Sequence, residues 1–505
     1  MIRRASLALL FALVAAAFVF LPAWTVRAAP ASGADAEAQF SYARYLSDTG
    51  NHAQAAREYG RFIERYPGSP IIDEIQFRMA SAYLDAGMFK EAKAEFGLFL
   101  ANFPDSAFAA TAGQRLNEAA GRATLADLPV VVIPDINSIT PGRTLRAVQV
   151  MNFVSSDYAG VEEELRSLRV AGVNAIILRV FHNKDDRFYP TAVRGAQAGV
   201  YFNSANAPVV DDVLGRVLPI ARRNGLKVFA WMTTRYADYG MENDAALACR
   251  AYDMTSGAMT PCKGLDLFND RAVARLEAIY SDLAAYPVDG VLFQDDLVLR
   301  HNEGFGAQMA ALFRKETGKT IDPDALYIQD GDDAQVRYTP LFWEWAAFKN
   351  RRLLYVAGRL RQTVRLKRPG ARFAINLMYE SLTNPAYALA WLSQSFSAAV
   401  DKGFDYYSVM AYHKQMDDEL GTGPSAVRAM IEKMAVDASV MTADPGKVLI
   451  KLQTIDWKTG EPLPPDDVVR LIRKMKGKGG VSIALVPYRP GLPFYELGDR
   501  LASGH

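Results

Sequence analysis

Residues 288–296 read VDGVLFQDD: a turn, a short apolar run, then a glutamine and two adjacent carboxylates. Neighbouring anions repel, so an oily strand that ends on Asp295 and Asp296 needs a reason. Either the pair sits in a solvated loop or caps the next helix, or the strand delivers it to a site. Seven other runs share this make-up: LRAVQVMNF (145–153), NAIILRVF (174–181), LKVFAWMT (226–233), RFAINLMY (372–379), DYYSVMAY (405–412), KVLIKLQT (447–454) and GVSIALVP (480–487). Amphipathic stretches such as YAGVEEELRSLRVAG and PPDDVVRLIRKMKGKG lie between them. Eight apolar strands alternating with helices predict an α/β fold, a closed (β/α)8 TIM-type barrel over residues 145–505. Strands buried on both faces read as near-continuous apolar runs, as these do.

Ahead of the barrel the text changes. DTGNHAQAAREYGRFIERYPGSP and DAGMFKEAKAEFGLFLANFPDSA superpose at a period of 37, pairing Gly50 with Gly87, Tyr59 with Phe96, Phe62 with Phe99 and Pro67 with Pro104. Each half reads as a helical hairpin with glycine at the turn and proline at the exit. Residues 38–120 therefore form a small all-α domain that resembles tetratricopeptide repeats. Stacked helical pairs of this kind present a concave surface, so a protein partner is expected there. Three prolines between Gly121 and Thr144 mark a linker. Few contacts need cross it, so the barrel is expected to fold from about Arg143 onward.

Other classes are narrowed by composition. The 505 residues carry 57 basic against 56 acidic side chains with no basic block, which leaves no electrostatic footprint for nucleic acid. Residues 1–28 have the layout of a secretory signal peptide, Arg3 and Arg4 before an apolar run and small residues around Ala28. Retained, the same segment is nearly long enough to anchor the chain in a membrane; no other segment is expected to span one. A secreted or periplasmic location follows. In an oxidising compartment the only two cysteines, Cys249 and Cys262, are expected to form a disulfide. Five scattered histidines (His52, His182, His301, His413, His505) offer no paired spacing for zinc, and neither a metal nor a cofactor is expected.

In a barrel of this type the site lies at the carboxyl ends of the strands. Asp295 and Asp296 end the fourth, and other strands finish near Arg179, Trp231, Asn376, Glu380, Tyr412, Asp456, Trp457 and Tyr488. Carboxylates among aromatic rings suit sugars, whose C–H faces stack while their hydroxyls take hydrogen bonds. Period-two alternation puts Leu292, Gln294 and Asp296 on one face, and Val291, Phe293 and Asp295 on the other.

DGVLFQDD is a partial match to the D-G-x-D-x-D-x-E strand of chitinase-type barrels, with Asp289 first and Asp296 last. A longer likeness is carried by VYFNSANAPVVDDVLGRVLPIARRNGLKVFAWMT, DLFNDRAVARLEAIYSDLAAYPVDGVLFQDDLVL, WEWAAFKNRRLL, FAIN and LIKLQTIDWKTG. Over these stretches the chain resembles the C-terminal glycoside hydrolase domain of the periplasmic poly-β-1,6-N-acetylglucosamine deacetylases, which process a biofilm exopolysaccharide. The resemblance implies an endo-acting hydrolase of partly deacetylated polymer, with Asp295 and Asp296 matching the family's two strand-end aspartates. Gln294 stands where that family has histidine. The metal-binding Asp and paired His of the deacetylase domain have no counterpart among the five histidines, so deacetylation is not expected.

The expected chemistry is acid catalysis through an oxocarbenium-like transition state. Asp296 is the expected general acid, raised by its apolar strand and by Asp295. The second role falls to the substrate's own acetamide, oriented by Asp295, Asn376 or Tyr412, or to Asp295, Glu380 or Asp456 as a partner carboxylate. Gln294, Arg179, Trp231, Trp457 and Tyr488 complete the expected glycan contacts. The alternative is a non-catalytic polysaccharide-binding or export-scaffold protein.

Overall fold

The computed structural model describes residues 33–125, 144–241, 244, 246–328, 336–477 and 480–498. The expected signal segment and most of the expected linker lie outside these. Eight parallel strands, Arg146–Val150, Ala175–Arg179, Lys227–Met232, Gly290–Phe293, Arg372–Met378, Tyr406–Met410, Val448–Gln453 and Ser482–Val486, close into a barrel. Consecutive strands pair, and the first pairs with both the second and the eighth. This is the TIM-type barrel expected from the eight apolar runs. Every residue of the second, fourth, sixth, seventh and eighth strands is buried, which is why these segments lack a polar alternation.

Local chemistry fixes where the elements begin. Helices Tyr158–Val170, Val213–Arg223 and Asp270–Leu283 are capped by Asp157, Asp212 and Asn269, whose side chains accept backbone N–H bonds of the first turn. Gly290 opens the fourth strand because a Cβ there would stand 2.4 Å from the Phe229 ring and 2.5 Å from the Arg372 carbonyl. The strands end earlier than the apolar runs. The fourth stops at Phe293 and not at Asp296, and this shortening reorders the site.

The second compact unit is helical. Helices α1 (Gly33–Asp48), α2 (His52–Arg65), α3 (Ile72–Asp85), α4 (Phe89–Asn102) and α5 (Ala109–Leu125) pack consecutively. Repeat-equivalent rings do equivalent work: Tyr59 and Phe96, and Phe62 and Phe99, are all buried. Gly50 and Gly87 take φ of +81° and +74° at the tight turns, a region that costs any side chain strain.

The expected boundary between the domains needs revision. Residues 313–348, from the middle of the barrel sequence, cluster with the repeats. Their aromatic side chains supply the reason. Trp343 is fully buried, its ring 5.2 Å from Tyr42 of α1, and its indole N–H donates to the Ser41 hydroxyl at 2.9 Å. Phe342 stacks on Tyr338 at 3.9 Å, and Arg337 pairs with Glu37 at 3.2 Å. Part of the face of α1 is therefore covered by the chain itself. Among the described residues no helix is long and apolar enough to cross a membrane.

Candidate active site

Beyond Phe293 the chain leaves the ladder and turns. The Gln294 amide makes a last bond to the Met232 carbonyl at 2.9 Å, after which alternation no longer governs which way side chains point. Asp296 consequently swings out of the barrel mouth to the loop after the third strand. Its carboxylate accepts from the Thr233 hydroxyl at 2.6 Å, the Thr234 N–H at 2.8 and 3.0 Å, the Thr234 hydroxyl at 2.7 Å and the Tyr236 N–H at 2.9 Å. With four donor groups on two oxygens and only 2% exposure, it presents no free face to a ligand. Arg235, between these donors, is itself buried and reaches the Val298 carbonyl and Glu303. The third and fourth strand-end loops are thereby bolted together.

Asp295 takes the place expected of its neighbour. Partly exposed, it lines a narrow cavity at the mouth with Gln149, Arg179, Trp231, Gln294, Tyr412 and Lys451. Burial pushes its carboxyl above the ordinary aspartate range; the Lys451 ammonium opposes this, and the charge of Asp296 adds to it. Lys451, on the seventh strand, donates to the side-chain Oδ1 of Asn376 at 3.3 Å, and that oxygen also accepts from the Ser408 hydroxyl at 2.8 Å. Burial brings the lysine down to about 8 while Asp295 holds it up.

Side-chain atoms in and beneath the mouth that have no partner among the described residues include Gln149 Oε1, Trp231 Nε1, Gln294 Oε1 and Asn376 Nδ2. Buried polar atoms are rarely left so. Two acceptors and two donors around a carboxylic acid form a surface that a polyhydroxylated ligand satisfies. Trp231 and Tyr412 add apolar area, Tyr412 held edge-on by Trp457 at 5.4 Å.

The remaining expected residues separate from this group. Arg179 reaches the cavity wall but is committed to Asp186 at 3.3 Å and to the rings of Tyr189 and Tyr201. Asp456 caps its own turn through the Lys458 N–H at 2.8 Å and lies 3.7 Å from Lys414. Tyr488 stacks on Phe494. Glu380 does not line the cavity; burial, with Glu419 adding repulsion, carries its carboxyl up to about 8. Cys249 and Cys262 are joined, with Cα atoms 5.1 Å apart, and cross-link the hairpin Ala248–Asp253/Ala258–Leu265. A larger hollow of about 440 Å³ opens at the opposite end of the barrel, beside Lys227 and Asp289 at the strand beginnings. It is far from the strand-end carboxylates, and its Arg222, Lys367 and Arg368 are already bonded to main-chain carbonyls.

Lys451 and Gln149 were not among the residues singled out from sequence. Both carried a signal: each is a polar residue inside an apolar run, in KVLIKLQT and in LRAVQVMNF. In a strand with no wet face, such a residue points into the barrel or pays a heavy desolvation penalty.

The sequence profile described as hypothetical glycosyl hydrolase family 13 matches residues 163–486, and a tetratricopeptide repeat profile matches 37–69 and 74–106. Among solved structures, the PgaB (BpsB) glycoside hydrolase domain from Bordetella bronchiseptica is similar at 21% identity, covering 68% of this chain and 94% of that one, with a TM-score of 0.54. A β-galactosidase from the psychrophilic Marinomonas ef1 is similar at 11% identity, covering 68% of this chain and 54% of that one, with a TM-score of 0.46. No curated protein matches the chain. At such identities the structural likeness speaks for the barrel alone.

Proposed function

The chain belongs to hypothetical glycosyl hydrolase family 13, with tetratricopeptide repeats ahead of the hydrolase domain, and on that premise we propose that it is an endo-acting glycosidase whose general acid is Asp295. The observation that carries this reading is the setting of Asp295. Its carboxyl is raised by burial, faces a cavity at the barrel mouth, and is ringed by polar atoms that lack partners. A proton donor at neutral pH needs such a lift. Asp296, expected in that role, instead holds the loops that frame the cavity.

The resemblance described above makes the substrate an amino-sugar exopolysaccharide of the partly deacetylated poly-β-1,6-N-acetylglucosamine type. Asp186 is the other carboxylate on the cavity wall, and it is paired with Arg179. No free second carboxylate therefore stands ready as base or nucleophile among the described residues. That favours the acetamido oxygen of the substrate in the second role, with the open Asn376 Nδ2 and the Tyr412 hydroxyl to orient it. The N-terminal segment directs the protein out of the cytoplasm, and the repeats place it against an export or envelope partner.

One observation favours a non-catalytic glycan-binding protein: Gln294, with its unpartnered Oε1, stands where the resembled family has histidine. Incubation with partly deacetylated polymer, followed by mass spectrometry of the products, separates the two. Shortened chains support the hydrolase. Retained binding with no cleavage, at any pH between 5 and 8, refutes it in favour of the binder.

A further inference from the structure

A lysine buried in an apolar strand is costly unless it serves a partner. Lys451 is 1% exposed, lies in Val448–Gln453, and opens onto the same cavity as Asp295. Its ammonium is aimed by the Asn376 side-chain Oδ1 at 3.3 Å, which Ser408 holds in turn, and it stands 5.9 Å from the centre of the Tyr412 ring. We propose that Lys451 is the charge partner of Asp295, a positioning residue that fixes the pH range over which Asp295 keeps its proton for the glycosidic oxygen. The proposal rests on the reading of Asp295 as proton donor.

The other charges around Asp295 are accounted for. Asp296, adjacent in the chain, is held by the loop after the third strand. Arg179 and Asp186, on the facing wall, neutralise each other. Tyr412, from the end of the sixth strand, is kept neutral by burial and by Asp295 itself. Gln294 offers only its amide. Among the described residues Lys451 is thus the cation of the cavity wall left to act on Asp295.

The sign follows directly. A nearby cation favours the ionised carboxyl, so removing it lets Asp295 hold its proton to higher pH. In Lys451→Met the limb of kcat/KM that falls with rising pH should move up by about one unit, roughly tenfold in rate at a fixed pH above the wild-type limb. Lys451→Arg keeps the charge and should leave the limb near the wild-type position.

The test measures kcat/KM against pH on partly deacetylated polymer for wild type, Lys451→Met, Lys451→Gln and Lys451→Arg. In parallel, the Asp295 carboxyl is titrated by difference infrared spectroscopy and assigned with Asp295→Asn. Lys451→Gln serves if Lys451→Met does not fold. An upward shift in the neutral variants and none in Lys451→Arg supports the proposal. A uniform loss of rate with an unmoved limb and an unmoved titration overturns it, and Lys451 is then only a substrate contact or a structural residue. If no form cleaves polymer while the Asp295 titration still moves, the hydrolase reading falls and the charge pairing stands.

Discussion

Exchanging one oxygen for an amide nitrogen tells the two aspartates apart. In Asp296→Asn the best orientation places the new NH₂ at the Oδ1 position. There the Thr234 hydroxyl can rotate to accept, and the remaining oxygen keeps Thr233, the Thr234 N–H and Tyr236. What disappears is the charge. Hydrogen bonds to a charged group contribute about 1.5–3 kcal/mol each against about 0.5–1.5 for neutral pairs, so three or four weakened bonds sum to roughly 3–6 kcal/mol of lost stability. Asp295→Asn breaks no comparable network and should unfold near the wild-type midpoint. Its cost is kinetic, about 10²- to 10⁴-fold in kcat, the usual contribution of a general acid. Urea unfolding followed by circular dichroism gives the first quantity. Product formation at low temperature, where Asp296→Asn remains folded, gives the second. An Asp296→Asn protein of wild-type stability and no activity, beside an Asp295→Asn protein of full activity, would refute the division of roles.

Three further outcomes are expected. Removing the Cys249–Cys262 bridge, which spans 13 positions in sequence, should cost about 3 kcal/mol in the chain-entropy description; two free thiols in the non-reduced protein by mass spectrometry would show that the bridge does not form. Glu380 is raised to about 8 by burial and by Glu419, so its neutral form stabilises the fold fully below the ordinary carboxylate range, and that stabilisation is lost as pH rises through about 8. Melting temperatures at pH 5 and pH 9 should therefore differ more in wild type than in Glu380→Gln, and equal differences would count against the assignment. A fragment beginning at Thr144 lacks Tyr42 and Ser41, the partners of Trp343, so it should bind a hydrophobic dye and aggregate; a monomeric, dye-negative fragment would mean that 313–348 stands without the repeats.

The barrel was legible because burial on both faces writes itself into composition: a parallel strand with no wet side has almost no polar letters. The repeats were legible because the same rings recur at a fixed interval, and those rings form the helical core. Residues 313–348 escaped this reading because their partners in α1 lie some three hundred positions away, and neither period nor composition encodes so distant a pairing. Within the site the limit was the strand end. Alternation placed Asp296 inward on the assumption that the ladder ran to it, but the ladder stops at Phe293, and one turn exchanges the directions of the two acids.

That exchange answers why two anions stand side by side. An aspartate held by four donors is fixed where the third and fourth loops meet, and it acts on its neighbour from that position. Beside it, Asp295 feels burial and that anion pushing its proton affinity up, and Lys451 pulling it down. Neither influence needs to touch the substrate. The repulsion that made the pair improbable as a loop ornament is what a proton donor requires, provided one anion is immobilised and the other faces the cavity. A single aspartate at position 295 would keep the desolvation but lose the anchored charge and the loop bolt together. An aspartate at 296 alone would keep the bolt and leave the cavity with only Asp186, which is paired with Arg179.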